Sequence, residues 1–358
     1  MGRRENRKQV ACFKLTGTGI KMTQYLKWLF FWGMVFATIT VDIPLGNAQE
    51  DINYRLKWLF NTSVAGDLYA LDMGYFKKEG LSVAVKAGSP ERDAIRELEL
   101  GQAQFGVASA DQVILARSKG SPVIVIAQLF QKNPLQWIYR AEPGTLSNLS
   151  DLKGKTIGIT YGGNDETIMR ALLKKGGIPE KDVTLFSVRY DYTPFYRKRV
   201  DIWPVYINSQ GIILNDKLTE NGEKTGFFDP SSYGVRFVAN SVVTSLKTLR
   251  ERPAMVQSFI KALLEGWKES LAPENKQKTL SVLKKYDRDT PTDIREKQLA
   301  ITRTLIIPEG DAHLGYIDRE AWRQTEQIML EQGLIPKPVS VTDILFQDGF
   351  GPTQKKQD

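Results

Sequence analysis

The stretch "FGVASADQVILARSKGSPVIVIAQLF" (105–130) has the pattern of a strand, a helix and a second strand, and it decides the fold class. Ser109 and Gln112 have the spacing of a capping box, which marks the first turn of a helix. The run "PVIVIAQLF" (122–130) is the most β-branched of the chain, and we predict that it is a central strand. A strand–helix–strand unit of this kind is typical of a parallel sheet in an α/β protein.

The same alternation continues on both sides of this unit. Besides 105–109 and 122–130, the predicted strands are 54–60, 81–87, 155–163 and 183–190. The predicted helices are 66–74, 89–101 (with Ser89 as N-cap and Pro90 in its first turn) and 164–177, and a helix, strand and helix follow over 191–214. From about residue 236 the pattern is helical.

These elements predict two α/β blocks and a helical C-terminal part. The second block has its own strand–helix–strand core and follows a polar connection, so it resembles a domain inserted into another. We predict a discontinuous first lobe at 53–140 and 236–345, a second lobe at 141–235, and a disordered tail at 346–358. Ligands in such folds bind in the crevice between domains, where strands end and helices begin.

The first 48 residues have the features of a secretion leader. Lys27 precedes an uncharged apolar run at 28–39, and Gly46 and Ala48 are small residues at the −3 and −1 positions of a cleavage site. Translation from Met22 would give a leader of ordinary length, and an uncleaved membrane anchor stays as the alternative. Either way we expect the globular part outside the cytoplasm, in a periplasm.

Charge and residue usage exclude several classes of function. Residues 1–48 carry a net charge of +5 of the total of +8, so the remainder is nearly neutral and we predict no nucleic-acid partner. The only cysteine is Cys12 in the leader, and the only histidine, His313, has no partner at the spacing of a catalytic or metal-binding pair. We therefore predict no catalytic residue, no metal ligand and no cofactor.

The turn "YGGND" (161–165) is a candidate binding element. Its glycines allow a ligand to approach the backbone, and a helix N-terminus carries partial positive charge. Asp165 and Glu166 occupy the first turn of that helix and already compensate this charge, which disfavours a strongly anionic ligand. An ordinary strand-to-helix turn is the alternative interpretation.

Five stretches together resemble the solute-binding proteins of ABC importers, in the branch grouped with nitrate, sulfonate and thiamine-pyrimidine binders. They are "GDLYALDMGYFKKEGLSV", "ERDAIRELELGQAQFGVASADQV", "KGSPVIVIAQLFQKNPLQWIY", "DLKGKTIGI" and "VDIWPVYINSQ". The resemblance covers residues 54–215 by motif and 216–330 by helical pattern. It implies a type II periplasmic binding protein fold, in which two lobes close on a small solute and deliver it to a membrane permease.

The resemblance includes an enzyme, the thiamine pyrimidine synthase, which consumes its own histidine and a pyridoxal phosphate. Its opening motif has a Trp, then an Asn three residues later, then a His after three more. Trp58 and Asn61 match this motif, but Val64 stands at the His position, and the enzyme's cysteine-rich motif is absent. The resemblance therefore implies a binding protein, with the synthase and a sensor subunit as alternatives.

We predict that the solute is stacked by aromatic side chains and hydrogen-bonded from both lobes. The predicted site residues are Trp58, Asn61, Ser109, Asp111, Asn133, Gly163, Asn164, Tyr190 and Tyr206. Asp111 could pair with an exocyclic amine, and none of these residues is cationic, so the set favours a pyrimidine-like ligand over a sulfonate or nitrate. We expect a monomer that hands this solute to the permease.

Overall fold

A computed structural model describes residues 51–346, apart from 90–91, 143–145, 190, 309 and 311–312. The predicted leader at 1–48, the start at Met22, the tail from residue 347 and the site residue Tyr190 lie outside the described residues. Within that part of the chain, no helix is both long enough and apolar enough to cross a bilayer.

Ten strands in the described residues form two five-stranded sheets. The first sheet contains β1 (Asp51–Arg55), β2 (Ser82–Lys86), β3 (Phe105–Ala108), β4 (Val123–Gln128) and β10 (Ser241–Ser245), in the order β2-β1-β3-β10-β4. The second contains β5 (Leu135–Arg140), β6 (Thr156–Ile159), β7 (Thr184–Ser187), β8 (Ile202–Tyr206) and β9 (Thr225–Phe228), in the order β7-β6-β8-β5-β9. We call these sheets, with the helices packed on them, the first and second lobes.

Helices cover both sheets. Those before the second sheet are α1 (Ala65–Asp72), α2 (Tyr75–Lys78), α3 (Ala94–Glu99) and α4 (Ala110–Ser118). Those between strands of the second sheet are α5 (Asn164–Lys175), α6 (Thr193–Tyr196) and α7 (Gln210–Glu220). The C-terminal helices are α8 (Leu246–Glu251), α9 (Pro253–Leu271), α10 (Lys276–Tyr286), α11 (Thr292–Ile306), α12 (Arg319–Glu331) and α13 (Val341–Ile344).

Two predicted boundaries in the first lobe are wrong. The first strand ends at Arg55, so residues 56–60 form an irregular segment and not the second half of a strand. The helix predicted from Ser89 begins at Ala94, because the Asp93 carboxylate is the side chain that accepts the backbone N–H of Arg96, at 3.0 Å. Ser89 instead forms an isolated bridge with Arg92.

The run "PVIVIAQLF" contains an edge strand, not a central one. All six residues of β4 are buried, yet β4 is last in its sheet because β10 lies between it and β3. Its outer edge is covered by the C-terminal segment, where Leu345 bridges Val125 and Phe346 donates its N–H to the Val125 carbonyl at 2.9 Å. The covering segment explains how an edge strand can carry six buried side chains.

The sequence patterns missed three strands, and one of them moves a lobe boundary. β5 pairs with β8 and β9, so residues 135–140 belong to the second lobe, although the first lobe was predicted to run to residue 140. β9 was not predicted. β10 lies in a region predicted to be helical, and it returns the chain to the first sheet.

The strand directions bring one edge of each sheet to face the other. β1, β2 and β3 are parallel, and β4 has the same direction because both β3 and β4 run antiparallel to β10. The chain therefore leaves the first sheet at the edge where these strands end. It enters the second sheet at Leu135, which pairs with Tyr206 at the end of β8, and β8 is parallel to β6. The carboxyl ends of both sets of parallel strands thus border the crevice between the lobes.

The first lobe is organised around a close contact between α1 and α9. A Cβ atom at Gly66 would lie 2.0 Å from Cδ2 of Trp267, and one at Gly266 would lie 2.4 Å from the Cβ of Ala70. Only glycine lets the two helices approach this closely. Beside this contact the hydroxyl of the fully buried Tyr54 donates to the Asp67 carboxylate at 2.5 Å.

We expect Gly66→Ala to lower the free energy of unfolding by about 1–3 kcal/mol, because the added methyl group forces the two helices apart. Urea unfolding followed by far-UV circular dichroism measures this change. Gly211→Ala in α7 is the matched control, since its Cβ would meet its nearest neighbour at 3.2 Å and needs only a small adjustment. Equal stability of Gly66→Ala and the wild type would contradict the close packing of α1 on α9.

Asp67 makes the stability of the first lobe depend on pH. Burial raises the pKa of Asp67 to about 7, and the hydrogen bond from Tyr54 only partly opposes this rise. The folded chain thus holds a proton that the unfolded chain has already lost, so this contribution to stability is complete below about pH 4 and is lost as the pH rises to 7. The expected loss is roughly 4 kcal/mol, since one unit of pKa difference corresponds to about 1.4 kcal/mol.

Asp67→Asn removes this titration while keeping an oxygen that accepts the Tyr54 hydroxyl. We expect its urea midpoint to change less between pH 4 and 7 than that of the wild type. Asp72→Asn on the same helix should retain the wild-type slope. The same slope in Asp67→Asn as in the wild type would show that Asp67 titrates as an ordinary carboxylate.

Candidate ligand-binding site

Trp58 lies where the first sheet borders the crevice, three residues after β1. Its side chain is 38% exposed, and its carbonyl accepts the N–H of Gly88 at 3.0 Å, which fixes the backbone there. Trp58 lines a pocket of about 130 Å³. The other lining residues are Lys57, Ser89, Asp93, Ala94, Val107 and Gln112. The pocket therefore combines one exposed indole with a carboxylate, an amide and an ammonium group.

A chain of hydrogen bonds forms the polar wall of the Trp58 pocket. The Gln112 side chain accepts the N–H of Ser109 at 3.1 Å, which is the capping-box contact, and it also accepts the Ser109 hydroxyl at 3.1 Å and donates to Asp93 at 3.4 Å. Ser109 is only 1% exposed, so its side chain positions Gln112 and is itself inaccessible to a solute. Asp93 and Gln112 are the groups left to meet a ligand.

Asn61 and Val64 belong to the turn that connects Trp58 to α1. The Asn61 carboxamide accepts the N–H of Ser63 at 2.8 Å and so caps the 3-10 turn Thr62–Val64. Val64 is 5% exposed and packs in the core of the first lobe. The position that carries a histidine in the synthase motif is thus a core position in this chain.

Asp111 and Asn133 are constrained by their surroundings. Oδ1 of Asp111, in the first turn of α4, is buried and has no hydrogen-bond partner within the described residues. Asn133 uses both ends of its amide at the crossover between lobes: it donates to the Phe237 carbonyl at 2.7 Å and accepts the Leu135 N–H at 2.9 Å. Asn133 thereby ties the two crossing segments together, beside a cavity of about 300 Å³.

The turn after β6 borders the crevice from the second lobe. Asp165 accepts the N–H of Thr160 at 2.6 Å, and Glu166 accepts the N–H of Gly162 at 2.7 Å. Burial raises the pKa of Asp165, while the hydrogen bonds from Thr160 oppose the rise. These acidic side chains occupy two N–H groups of the turn and place negative charge at the helix N-terminus, which disfavours an anion there. The predicted site residues Gly163, the N-cap, and Asn164, half-buried with no side-chain hydrogen bond in the described part, lie on the same turn.

A buried amide joins the lobes next to this turn. Asn208 is 1% exposed and donates to the hydroxyls of Ser63 and Thr302, at 3.1 and 3.0 Å. Tyr206 ends β8 two residues earlier and is half-buried against the core of the second lobe. The second-lobe wall near Ser63 is therefore held against the first lobe by a direct contact.

Of the predicted site residues, Trp58 lines the first-lobe pocket and Asn133 lines the cavity at the crossover, and several others have a structural role. Trp58 is exposed there, whereas Ser109, Asn61 and Asn133 hold backbone or neighbouring side chains. Lys57, Asp93 and Gln112 were not predicted as site residues. Gln112 was visible in the sequence as half of a capping box, whereas Asp93 was hidden by the wrong helix start.

Among the described residues, no group of three or more His, Cys, Asp or Glu side chains could hold a metal ion. His313 is half-buried and packs edge-on against Tyr316, with ring centres 6.0 Å apart.

The chain is similar to proteins that bind small molecules. The family described as NMT1/THI5 like matches residues 61–276. The riboflavin-binding protein RibY of Chloroflexus aurantiacus is 26% identical, over 86% of this chain and 89% of its own length. The formylaminopyrimidine-binding protein of Halalkalibacterium halodurans is 25% identical, over 83% and 89%. Among solved structures, the periplasmic aliphatic sulphonate binding protein SsuA from Escherichia coli superimposes with a TM-score of 0.66 at 17% identity, over 86% of this chain and 94% of its own.

We expect Asp165→Ala to lower the free energy of unfolding by about 0.5–1.5 kcal/mol, because the part-buried hydrogen bond from the N–H of Thr160 is lost. Thermal unfolding of the purified protein measures the loss. Asp165→Asn keeps an acceptor oxygen without the charge, and we expect it to be at least as stable as the wild type at pH 7, since burial disfavours the charged form. Equal destabilisation by both substitutions would show that the charge, not the hydrogen bond, holds the turn.

Proposed function

Because this chain belongs to the NMT1/THI5-like family, we propose that it is the solute-binding subunit of an ABC importer and that it captures a flat heteroaromatic solute between its lobes. The observation that carries the proposal is Trp58, an exposed indole beside Asp93 and Gln112 at the edge of the first sheet that borders the crevice. A pyrimidine or flavin ring offers the matching chemistry: a flat face and polar groups in its plane.

In this pocket, stacking contacts the face of the solute ring and hydrogen bonds contact its edge. The indole of Trp58 contacts the face of the ring, a contact worth about 0.5–1.5 kcal/mol beyond the area it buries. The carboxylate of Asp93 accepts from an exocyclic amine or ring N–H, and Gln112 donates to or accepts from a neighbouring edge atom. Asp93 takes the role predicted for Asp111, because Asp93 lines the Trp58 pocket while Oδ1 of Asp111 is buried.

The names of the relatives and the fold support the same function. Two relatives that align over most of their length are named as binding proteins for riboflavin and for a formylaminopyrimidine, both of which are flat heteroaromatic molecules. In this proposal the predicted leader exports the chain, which acts as a periplasmic monomer. Closure of its lobes on the solute then presents a surface to the membrane permease.

The burial of Val64 supports a binding role over the synthase. A sacrificial histidine must reach the bound cofactor, yet the side chain at this position packs among core residues of the first lobe. A histidine introduced there would be buried among apolar groups. We therefore propose that the protein is not an enzyme.

Lys57 favours a second candidate function, the binding of a sulfonate. Its ammonium group lines the Trp58 pocket and forms no ion pair among the described residues, so it is available to an anion. Asp93 opposes this candidate, because its carboxylate lies in the same pocket. The carboxylates of Asp165 and Glu166 in the first turn of α5 oppose it as well.

Calorimetric titration of the purified protein with riboflavin, a formylaminopyrimidine and an alkanesulfonate tests these candidates. We expect one of the two heteroaromatic compounds to bind, and Trp58→Ala and Asp93→Asn each to raise its Kd about tenfold or more. Leu100→Ala is the control, since Leu100 is exposed at the far end of α3 from Asp93.

Other outcomes separate the alternatives. Binding of the sulfonate alone, lost in Lys57→Met, would replace the heteroaromatic solute by an anion. A yellow protein with the absorption of a pyridoxal adduct would point to the synthase.

A further inference from the structure

We propose that Tyr161 supplies the second aromatic face of the site, so that the solute lies between Trp58 of the first lobe and Tyr161 of the second. This inference rests on the proposed function. It adds a specificity-determining residue that neither the sequence patterns nor the first-lobe pocket identified.

The strand directions place the two rings on opposing walls. Trp58 follows the end of β1, and Tyr161 follows the end of β6 by two residues. Both strand ends lie at the sheet edges that face each other across the two crossing segments. β1 and β6 also have corresponding positions, since each is second from the outer edge of its sheet, away from the crossing segments.

Tyr161 is exposed without a structural reason in the second lobe. Its side chain is 55% exposed, and its hydroxyl makes no hydrogen bond within the described residues. Few large apolar or aromatic side chains in the described part are as exposed. Leu59, at 56%, and Leu100, at 57%, are the others, and Leu59 is next to Trp58 in the chain. Exposed apolar surface on both walls of one crevice is typical of a binding site.

The turn that carries Tyr161 is held in place. Gly162 has φ of +78°, a conformation that suits glycine, and its N–H is bound by Glu166. The N–H of Thr160, on the other side of Tyr161, is bound by Asp165. The N–H groups of Thr160 and Gly162 are therefore already hydrogen-bonded and cannot donate to an anion. The group of this turn that can contact the solute is the ring of Tyr161.

Two opposed rings select for the shape of the solute. A planar ring system can contact both faces at once, whereas a tetrahedral sulfonate group can contact neither face closely. The pair would thus distinguish flat heteroaromatic solutes from the sulfonates bound by proteins of the same fold. In the absence of solute, we expect the rings to lie on either side of an open crevice.

Cross-linking tests the placement without any ligand. In the full chain with Cys12→Ser, no cysteine remains, so Trp58→Cys and Tyr161→Cys introduce the only two thiols. We expect a short bismaleimide to join them within one chain, seen as a mass shift that persists after dilution. Leu100→Cys with Tyr161→Cys should not be joined. Failure to join the first pair under conditions where each thiol is labelled singly would overturn the proposal.

Riboflavin fluorescence quenching tests the role, with a formylaminopyrimidine measured by calorimetry if riboflavin does not bind. We expect Tyr161→Ala to raise the Kd about tenfold, and Tyr161→Phe to retain the wild-type value because it keeps the ring. Leu100→Ala should bind as the wild type does. Unchanged affinity in Tyr161→Ala would overturn the stacking role alone. A wild-type protein that binds neither compound would overturn the proposed function and the stacking role with it.

Discussion

The contact between α1 and α9 determines where the segment from Trp58 to Val64 lies in the first lobe. Gly66 and Gly266 allow the two helices to touch backbone to side chain, which fixes the start of α1 and the 3-10 turn before it. Thr62 in that turn donates to Gln298 of α11 at 2.9 Å, and Ser63 accepts from Asn208 of the second lobe. The segment from Trp58 to Val64 is therefore anchored on three sides by buried groups. An aromatic ring can be left exposed at its beginning because its backbone has little freedom.

The two walls of the crevice differ in their electrostatics. The first lobe presents Lys57 and Asp93 together, so it can meet a dipolar ring edge with either sign of charge. In the second lobe, the carboxylates of Asp165 and Glu166 accept the N–H groups of Thr160 and Gly162, so negative charge lies at this turn. The fold is shared with a sulphonate binder, but in this chain two acidic side chains lie in the first turn of the helix that begins at residue 164.

The sequence predicted the features that depend on neighbouring residues and missed those that depend on residues far along the chain. The capping box of Ser109 and Gln112, the helix at residue 164 and the exposure of Trp58 follow from neighbouring residues, and the structure shows each of them. β5, β9 and β10 were missed because their short strand patterns depend on partners far along the chain. Asp93 was missed because Ser89 and Pro90 give a stronger helix-start signal in the sequence, whereas in the structure Ser89 bridges Arg92 and Asp93 is the N-cap. The sequence placed Tyr161 in a candidate binding turn, but the exposure of its side chain depends on how the whole second lobe packs.

The position of β10 has a consequence for the order in which the chain folds. β3 and β4 cannot be joined until β10 enters between them, and Ala108 pairs with Ser241 only after the whole second lobe has been made. The second sheet, by contrast, is built from consecutive residues between Leu135 and Phe228. Closing a longer loop costs more entropy and slows folding. We therefore expect the second lobe to fold first. Until β10 forms, the edges of β3 and β4 that pair with it stay unpaired, and a chaperone would need to cover them.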